Sequence, residues 1–222
     1  MSDATLLTLS ELEHNASDLA SRIMATGVEA GAVTVLAVTK TFPIEVVALA
    51  RSAGFVDLGE NYPQELAKKA AATSQDVGIR WHAIGQLQRN KVKLIAPFVA
   101  LWQTVDRVEL VETIARHSPS ANVLVQINLT NDPHRGGCRL SEVESLVTKI
   151  TQAGLVVQGL MTVGPLPGEG NASAGFRAVR AMVDELGLSI CSMGMSDDFE
   201  IALGEGSTMI RIGSALFGKR HS

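Results

Sequence analysis

Residues 34–59 read TVLAVTKTFPIEVVALARSAGFVDLG. Thr34–Lys40 is small, branched and apolar up to its terminal lysine, which is strand chemistry. Phe42-Pro43 then turns the chain. Pro43–Ala53 follows a helical period, with proline at its start and Gly54 at its stop. Phe55–Gly59 is a second strand-like run. The first strand does not alternate apolar with polar residues, so both its faces are covered, as in a parallel sheet flanked by helices. This is one strand–helix–strand unit, and its first strand ends in a primary amine that a buried strand does not need.

The same order repeats outward from it. Ahead lies an amphipathic helix from Thr5 to Ala25, with Leu6, Leu9, Leu12, Ala16, Leu19 and Ile23 on one face. Beyond, Tyr62–Ala72 reads as helix, Trp81–Gly85 as strand, Gln86–Ile95 as helix and Val99–Val105 as strand. Asp106 and Glu109 predict a capping box for the next helix. Val123–Leu129 is a strand, and Ser141 and Glu144 predict a second capping box for a helix to Ala153. Leu155–Val163 is a strand, Ala174–Leu186 a helix, Ile190–Met195 a strand, Asp197–Leu203 a short helix and Met209–Phe217 the last strand. Eight strand-like runs with helices between them predict a (β/α)8 TIM-type barrel with an extra N-terminal helix. A single domain over 1–222 is expected, the helix occupying 1–27 and the barrel 34–218. The chain is short for such a barrel, so its loops must be lean; a doubly wound open sheet is the alternative. Residues 164–173, GPLPGEGNAS, read as a flexible surface loop. They lack the lysine and glycine spacing of a phosphate-binding loop.

Composition narrows the partners. The 222 residues carry 19 Lys and Arg against 23 Asp and Glu, a net charge of −4, with both signs scattered. No basic block points to nucleic acid or to an anionic membrane. No apolar run approaches the ~20 residues that span a bilayer, and no secretory signal opens the chain. Cys138 and Cys191 stand far apart in no metal or redox spacing, which fits a reducing, cytoplasmic setting.

In a barrel the C-terminal strand ends carry the chemistry. Lys40 ends the first strand and Gly59-Glu60-Asn61 the second. Trp81-His82 lies on the third, Asn128 ends the fifth, Ser196 follows the seventh, and Arg211-Ile212-Gly213-Ser214 lies on the eighth. Singly, a snorkelling lysine, a hydrogen-bonded histidine and turn asparagines would account for them. Together they place an amine, a guanidinium and small donors on one rim. Ser196 ahead of a helix, and the amides of Gly213 and Ser214, suit a phosphate, although Asp197 and Asp198 would compete unless they point away. A phosphorylated aldehyde bound as a Schiff base is the guest this set predicts. A desolvated lysine near an arginine favours the neutral amine that attack requires.

Five stretches resemble a known family: AVTKT at 37–41, GENYPQE at 59–65, WHAIGQLQRNK at 81–91, GLMTV at 159–163 and SMGMSDDFEIALGEGSTMIRIGSALFGKR at 192–220. The chain is similar to the pyridoxal phosphate homeostasis proteins, single-domain relatives of the alanine racemase barrel. The resemblance implies pyridoxal 5′-phosphate (PLP) at the C-terminal rim. It implies Lys40 as the Schiff-base lysine, Arg211 beside the pyridine nitrogen, and Ser196, Gly213 and Ser214 at the phosphate, with Asn61 and His82 in motifs that line the pocket. Thr39 stands where a serine commonly precedes the lysine, Pro63 interrupts the second motif, and Arg135 stands near where a lysine is usual.

An arginine at the ring nitrogen keeps it unprotonated and weakens the electron sink on which PLP enzymes depend. The chain ends after Phe217-Gly218-Lys219-Arg220, where related racemases continue into a domain that supplies a second base. The expectation is therefore a monomeric, non-catalytic PLP carrier or regulator of vitamin B6 supply, with apo PLP-dependent enzymes as recipients. A PLP racemase or lyase of narrow range, and an aldolase-like barrel acting on sugar phosphates, remain as alternatives.

Overall fold

A computed structural model describes residues 7–29, 31–130, 132, 135–165 and 171–218. The first helix, α1, runs over Leu9–Ala25. Then β1 (Thr34–Val38), α2 (Glu45–Ser52), β2 (Asp57–Glu60), α3 (Pro63–Ala72), β3 (Arg80–Ala83) and α4 (Arg89–Ile95) follow in turn. They continue as β4 (Val99–Val105), α5 (Val108–His117), β5 (Asn122–Asn128), α6 (Val143–Gln152) and β6 (Val156–Val163). The chain closes with α7 (Ala172–Glu185), β7 (Ile190–Met195), α8 (Phe199–Gly204), β8 (Met209–Ile212) and α9 (Ser214–Phe217). All eight strands are parallel, and β8 pairs with β1 to close the barrel, with Leu36 opposite Arg211 and Ala37 opposite Ile212. The barrel expectation holds and the open sheet does not.

Alternation along the strands sorts the core into two layers. Leu36, Leu101, Leu124, Met161 and Met209 form a small cluster inside the barrel. Their chain neighbours Ala37, Trp102, Val123, Leu160 and Ile210 face outward into the larger core under the helices. α1 adds Leu12, Leu19 and Ile23 to that outer core, each worth about 1.5–3 kcal/mol of burial. Asn15 Nδ2 donates to the Leu216 carbonyl at 2.8 Å, and Arg22 pairs with Glu200 while lying 4.5 Å above the Phe199 ring. α1 is thereby strapped across α8 and α9, beside the end of the barrel where β7 and β8 deliver their loops.

Several local expectations are corrected. Asp106 does not cap α5: its carboxylate is taken by Arg107 and by the Gly137 amide at 3.1 Å. The Ser141–Glu144 box is absent too, because a 3₁₀ turn over Leu140–Glu142 precedes α6 and Glu142 instead accepts from the Arg139 amide at 2.8 Å. A true capping box joins Thr8 and Glu11 at the start of α1. The last strand stops at Ile212, and 214–217 are helical rather than extended. α8 starts at Phe199, not Asp197, so Ser196 does not cap it. The first helix starts at Leu9, with an extended Thr8 as its cap, rather than at Thr5, and α7 takes in the last two residues of the 164–173 loop reading; the rest of that reading falls largely on 166–170, which with the chain end at 219–222 lies outside the described residues.

Candidate functional site

Barrel closure brings three of the strand ends together. Gly213 follows β8 directly against β1, where a Cβ would sit 3.5 Å from the Val38 carbonyl oxygen, an ordinary contact. Lys40 lies two residues beyond Val38, half-buried at the rim. Ser196 reaches across from the β7 loop: its Oγ accepts from the Ala215 amide at 3.3 Å, in the first turn of α9. The amides opening that turn have no acceptor within the helix itself. Ser196, Gly213 and Ser214 thus gather at the start of α9, where β8 meets β1. Of the two aspartates beside it, Asp198 turns back to accept from the Met195 amide at 2.6 Å, while Asp197 is exposed. Burial raises the pKa of Asp198 from its ordinary value, against the pull of the Met195 amide and Arg211.

Below these residues sits Arg211. It is buried, its Nη1 donates to the carbonyl and hydroxyl of Ser192 at 2.8 and 2.9 Å, and its Nη2 donates to the Thr162 carbonyl at 2.7 Å. No carboxylate touches it among the described residues. Burial pulls its pKa down to about 10, against the pull of Asp198 the other way, and at neutral pH it remains a cation. It is therefore a buried charge held by neutral oxygens, with donor capacity left over in a five-donor fork. A ligand offering a lone pair or a negative charge meets that demand.

The loop that carries Lys40 is pinned from outside the barrel. Lys69 Nζ donates to the Thr39 carbonyl and to Glu60 Oε1, both at 2.7 Å, and to Glu65 Oε1 at 2.8 Å. Thr39 Oγ1 donates to Glu60 and the Thr41 amide to Glu65, each at 2.7 Å. Thr41 is held at φ 67°, in the left-handed region that a β-branched residue rarely enters. The motif residues Thr39 and Glu60 are spent on this clamp. The substitution of threonine for serine before the lysine keeps the hydroxyl the clamp uses.

The remaining candidates divide. Asn61 follows β2 at the rim, packed so closely on Gly85 that a Cβ there would lie 2.1 Å from the Asn61 carbonyl oxygen. It borders a cleft of about 480 Å³ with Tyr62, Gln86, Lys91 and Arg107 on its walls. His82 does not reach the rim as a pocket wall. It is buried inside the barrel, with Nε2 3.0 Å from Asp57 and Nδ1 2.8 Å from Gln103, so both ring nitrogens are occupied by protein. Sequence reasoning passed over Gln103, Ser192, Thr162 and Gln126. Gln126 projects a buried Oε1 that finds no donor among the described residues. A polar residue on a strand otherwise read as buried was the available signal for each. Among the described residues no cluster could hold a metal ion and no helix is long and apolar enough to cross a membrane. Burial pushes the thiols of Cys138 and Cys191 up to about 12 and 11, so both are poor nucleophiles.

The family model for the alanine racemase N-terminal domain matches residues 7–221. A pyridoxal phosphate homeostasis protein of Pseudomonas aeruginosa is 37% identical, over 96% of this chain and 97% of its own length. One from Escherichia coli K12 is 33% identical, over 96% and 98%. The solved structure of PipY from Synechococcus elongatus with PLP bound superimposes with a TM-score of 0.80 at 28% identity, covering 93% of this chain and all of that one. With a family match spanning nearly its whole length, and relatives of this identity matched from end to end, the chain belongs to the pyridoxal phosphate homeostasis proteins of the alanine racemase N-terminal-domain family.

Proposed function

We propose that this protein holds PLP at the rim where β7, β8 and β1 meet, and stores, delivers or regulates it without robust amino-acid turnover. The observation that carries the reading is Arg211, a buried cation without a carboxylate partner among the described residues, one strand from the rim lysine. A pyridine nitrogen offers the acceptor it lacks. The names of the relatives and the PLP in the PipY structure support the same ligand. The donor set fits it part by part: an amine on β1, a cradle of small residues for a phosphate, and a permanent cation for the ring.

Bound, PLP supplies an electrophilic aldehyde and an electron-sink ring. Lys40, at the rim beyond β1, would supply the amine that holds the aldehyde. Ser196, Gly213 and Ser214 would hold the phosphate, and Asn61 would border the open side. Arg211 would donate to the ring nitrogen, and a permanent cation there would disfavour its protonation, which would weaken the sink and argues against efficient turnover. The reading extends to a cytoplasmic monomer that passes PLP to apo-enzymes. Borohydride reduction of the yellow protein followed by peptide mapping is expected to put the label on Lys40, and Lys40→Ala to lose it. A label on another residue, or a wild type that stays colourless with PLP added, would refute the assignment. Mixing the loaded protein with apo PLP-dependent enzymes should activate them faster than free PLP at the same concentration, and a slower rate would leave storage alone.

A further inference from the structure

The interior of this barrel is not wholly apolar. A file of hydrogen bonds crosses it from the N-terminal end to Arg211. Arg80, with a side chain 60% exposed, grips Asp57 through both oxygens at 2.6 and 2.5 Å. Asp57 meets His82 Nε2 at 3.0 Å, and His82 Nδ1 meets Gln103 Nε2 at 2.8 Å. Ser192 Oγ donates to Gln103 Oε1 at 2.8 Å, and Arg211 Nη1 donates to Ser192 Oγ at 2.9 Å. Gln103 and Ser192 are fully buried. The residues come from five strands, β2, β3, β4, β7 and β8, with 89 positions between Gln103 and Ser192.

The donors and acceptors permit one consistent direction. Arg211 can only donate, so Ser192 accepts from it and needs an acceptor for its own hydrogen. Gln103 Oε1 is that acceptor, which turns the amide nitrogen toward His82 and toward Met209 Sδ at 3.2 Å. His82 Nδ1 must then accept, and its hydrogen sits on Nε2, facing Asp57. Burial would raise the Asp57 pKa, but Arg80 and His82 outweigh it and hold the carboxyl well below its ordinary range, so it is the terminal acceptor. Every group on Gln103 is spoken for, and rotating its amide would break the file at both ends.

We propose that Asp57, His82, Gln103 and Ser192 form a positioning chain that holds the Arg211 guanidinium in one orientation toward the ring nitrogen of the bound cofactor. It rests on the PLP reading above. A guanidinium otherwise supported only by two backbone carbonyls would be free to tilt away from the ring. His82 thus acts on the site through Gln103 and Ser192, not by touching the ligand.

The test has two arms. In the cofactor-free protein, ¹⁵N NMR of the histidine rings, with His82 identified by its loss in His82→Gln, is expected to show the hydrogen on Nε2. Gln103→Glu removes the donor to Nδ1 and adds a carboxylate, and should turn the ring to imidazolium. A hydrogen on Nδ1 in the wild type, or an unchanged ring in Gln103→Glu, would overturn the chain. In the loaded protein, Ser192→Ala and Gln103→Leu should each shift the visible absorption band, and the double variant should shift it no further than the larger single. Additive shifts, or none while the cofactor stays bound, would overturn the positioning role. The wild-type NMR arm needs neither a variant nor PLP, so a colourless protein would sink the cofactor reading alone and leave the chain to be judged on its ring hydrogens.

Discussion

Lys69→Met tests the clamp beneath the proposed cofactor lysine. The side chains of Lys69 and Glu60 are 4% and 0% exposed, and the ammonium spends its three hydrogens on Thr39, Glu60 and Glu65. Methionine matches the length and offers no hydrogen. Removing one partner of a buried pair costs about 3–5 kcal/mol, because the other charge is left behind. At a urea slope of about 2–3 kcal/mol/M the unfolding midpoint should fall by about 1–2.5 M. Trp81 and Trp102 are both buried, so intrinsic fluorescence reports the transition. Burial already raises the Glu60 pKa above 4.5 against the pull of Lys69, and the substitution raises it further. A carboxyl with a raised folded pKa favours the folded state at low pH and loses that favour as pH rises. The deficit relative to wild type should therefore be largest at alkaline pH and shrink toward pH 4.5. Adding Glu60→Leu removes the orphaned carboxylate and should recover most of the loss. A midpoint change worth less than ~0.5 kcal/mol, as for a surface substitution, would refute the reasoning. So would a double variant no better than the single.

Gly213→Ala should fold with an unchanged melting temperature, since its Cβ meets only an ordinary contact at 3.5 Å. It should nevertheless retain PLP about tenfold more weakly, a loss of about 1.4 kcal/mol, in equilibrium dialysis; equal retention would remove Gly213 from the phosphate cradle. Gly159→Ala is the contrast: a Cβ there would lie 1.8 Å from the Ile190 carbonyl oxygen, and soluble expression should collapse. Asp57 has a depressed folded pKa, so its contribution is present above 3.8 and is lost as pH falls below that value. Asp57→Asn should flatten the acid limb of stability measured by urea unfolding, and a limb of unchanged slope would show that Asp57 contributes nothing to it.

What the sequence by itself determined was the number and order of strand–helix units, the family motifs and the placing of Lys40 close after the first strand, which ends two residues earlier at Val38. Each is written in neighbouring residues, through periodicity, a proline or glycine stop, and the end of an apolar run. Helix starts were the weak part. Asp106 and Ser141 have the chemistry of caps, yet Asp106 was claimed by Arg107 and Gly137, and the chain around Ser141 tightened into a 3₁₀ turn. His82 could be named as important, but its direction could not, because one step in strand parity moves a side chain between barrel interior and helix layer. The Lys69–Glu60–Thr39 clamp and the file from Asp57 to Arg211 exist only once β8 closes on β1 and the registers are set. Their partners lie on different strands and helices, up to 89 positions apart, and no local pattern encodes which buried donor will face which acceptor.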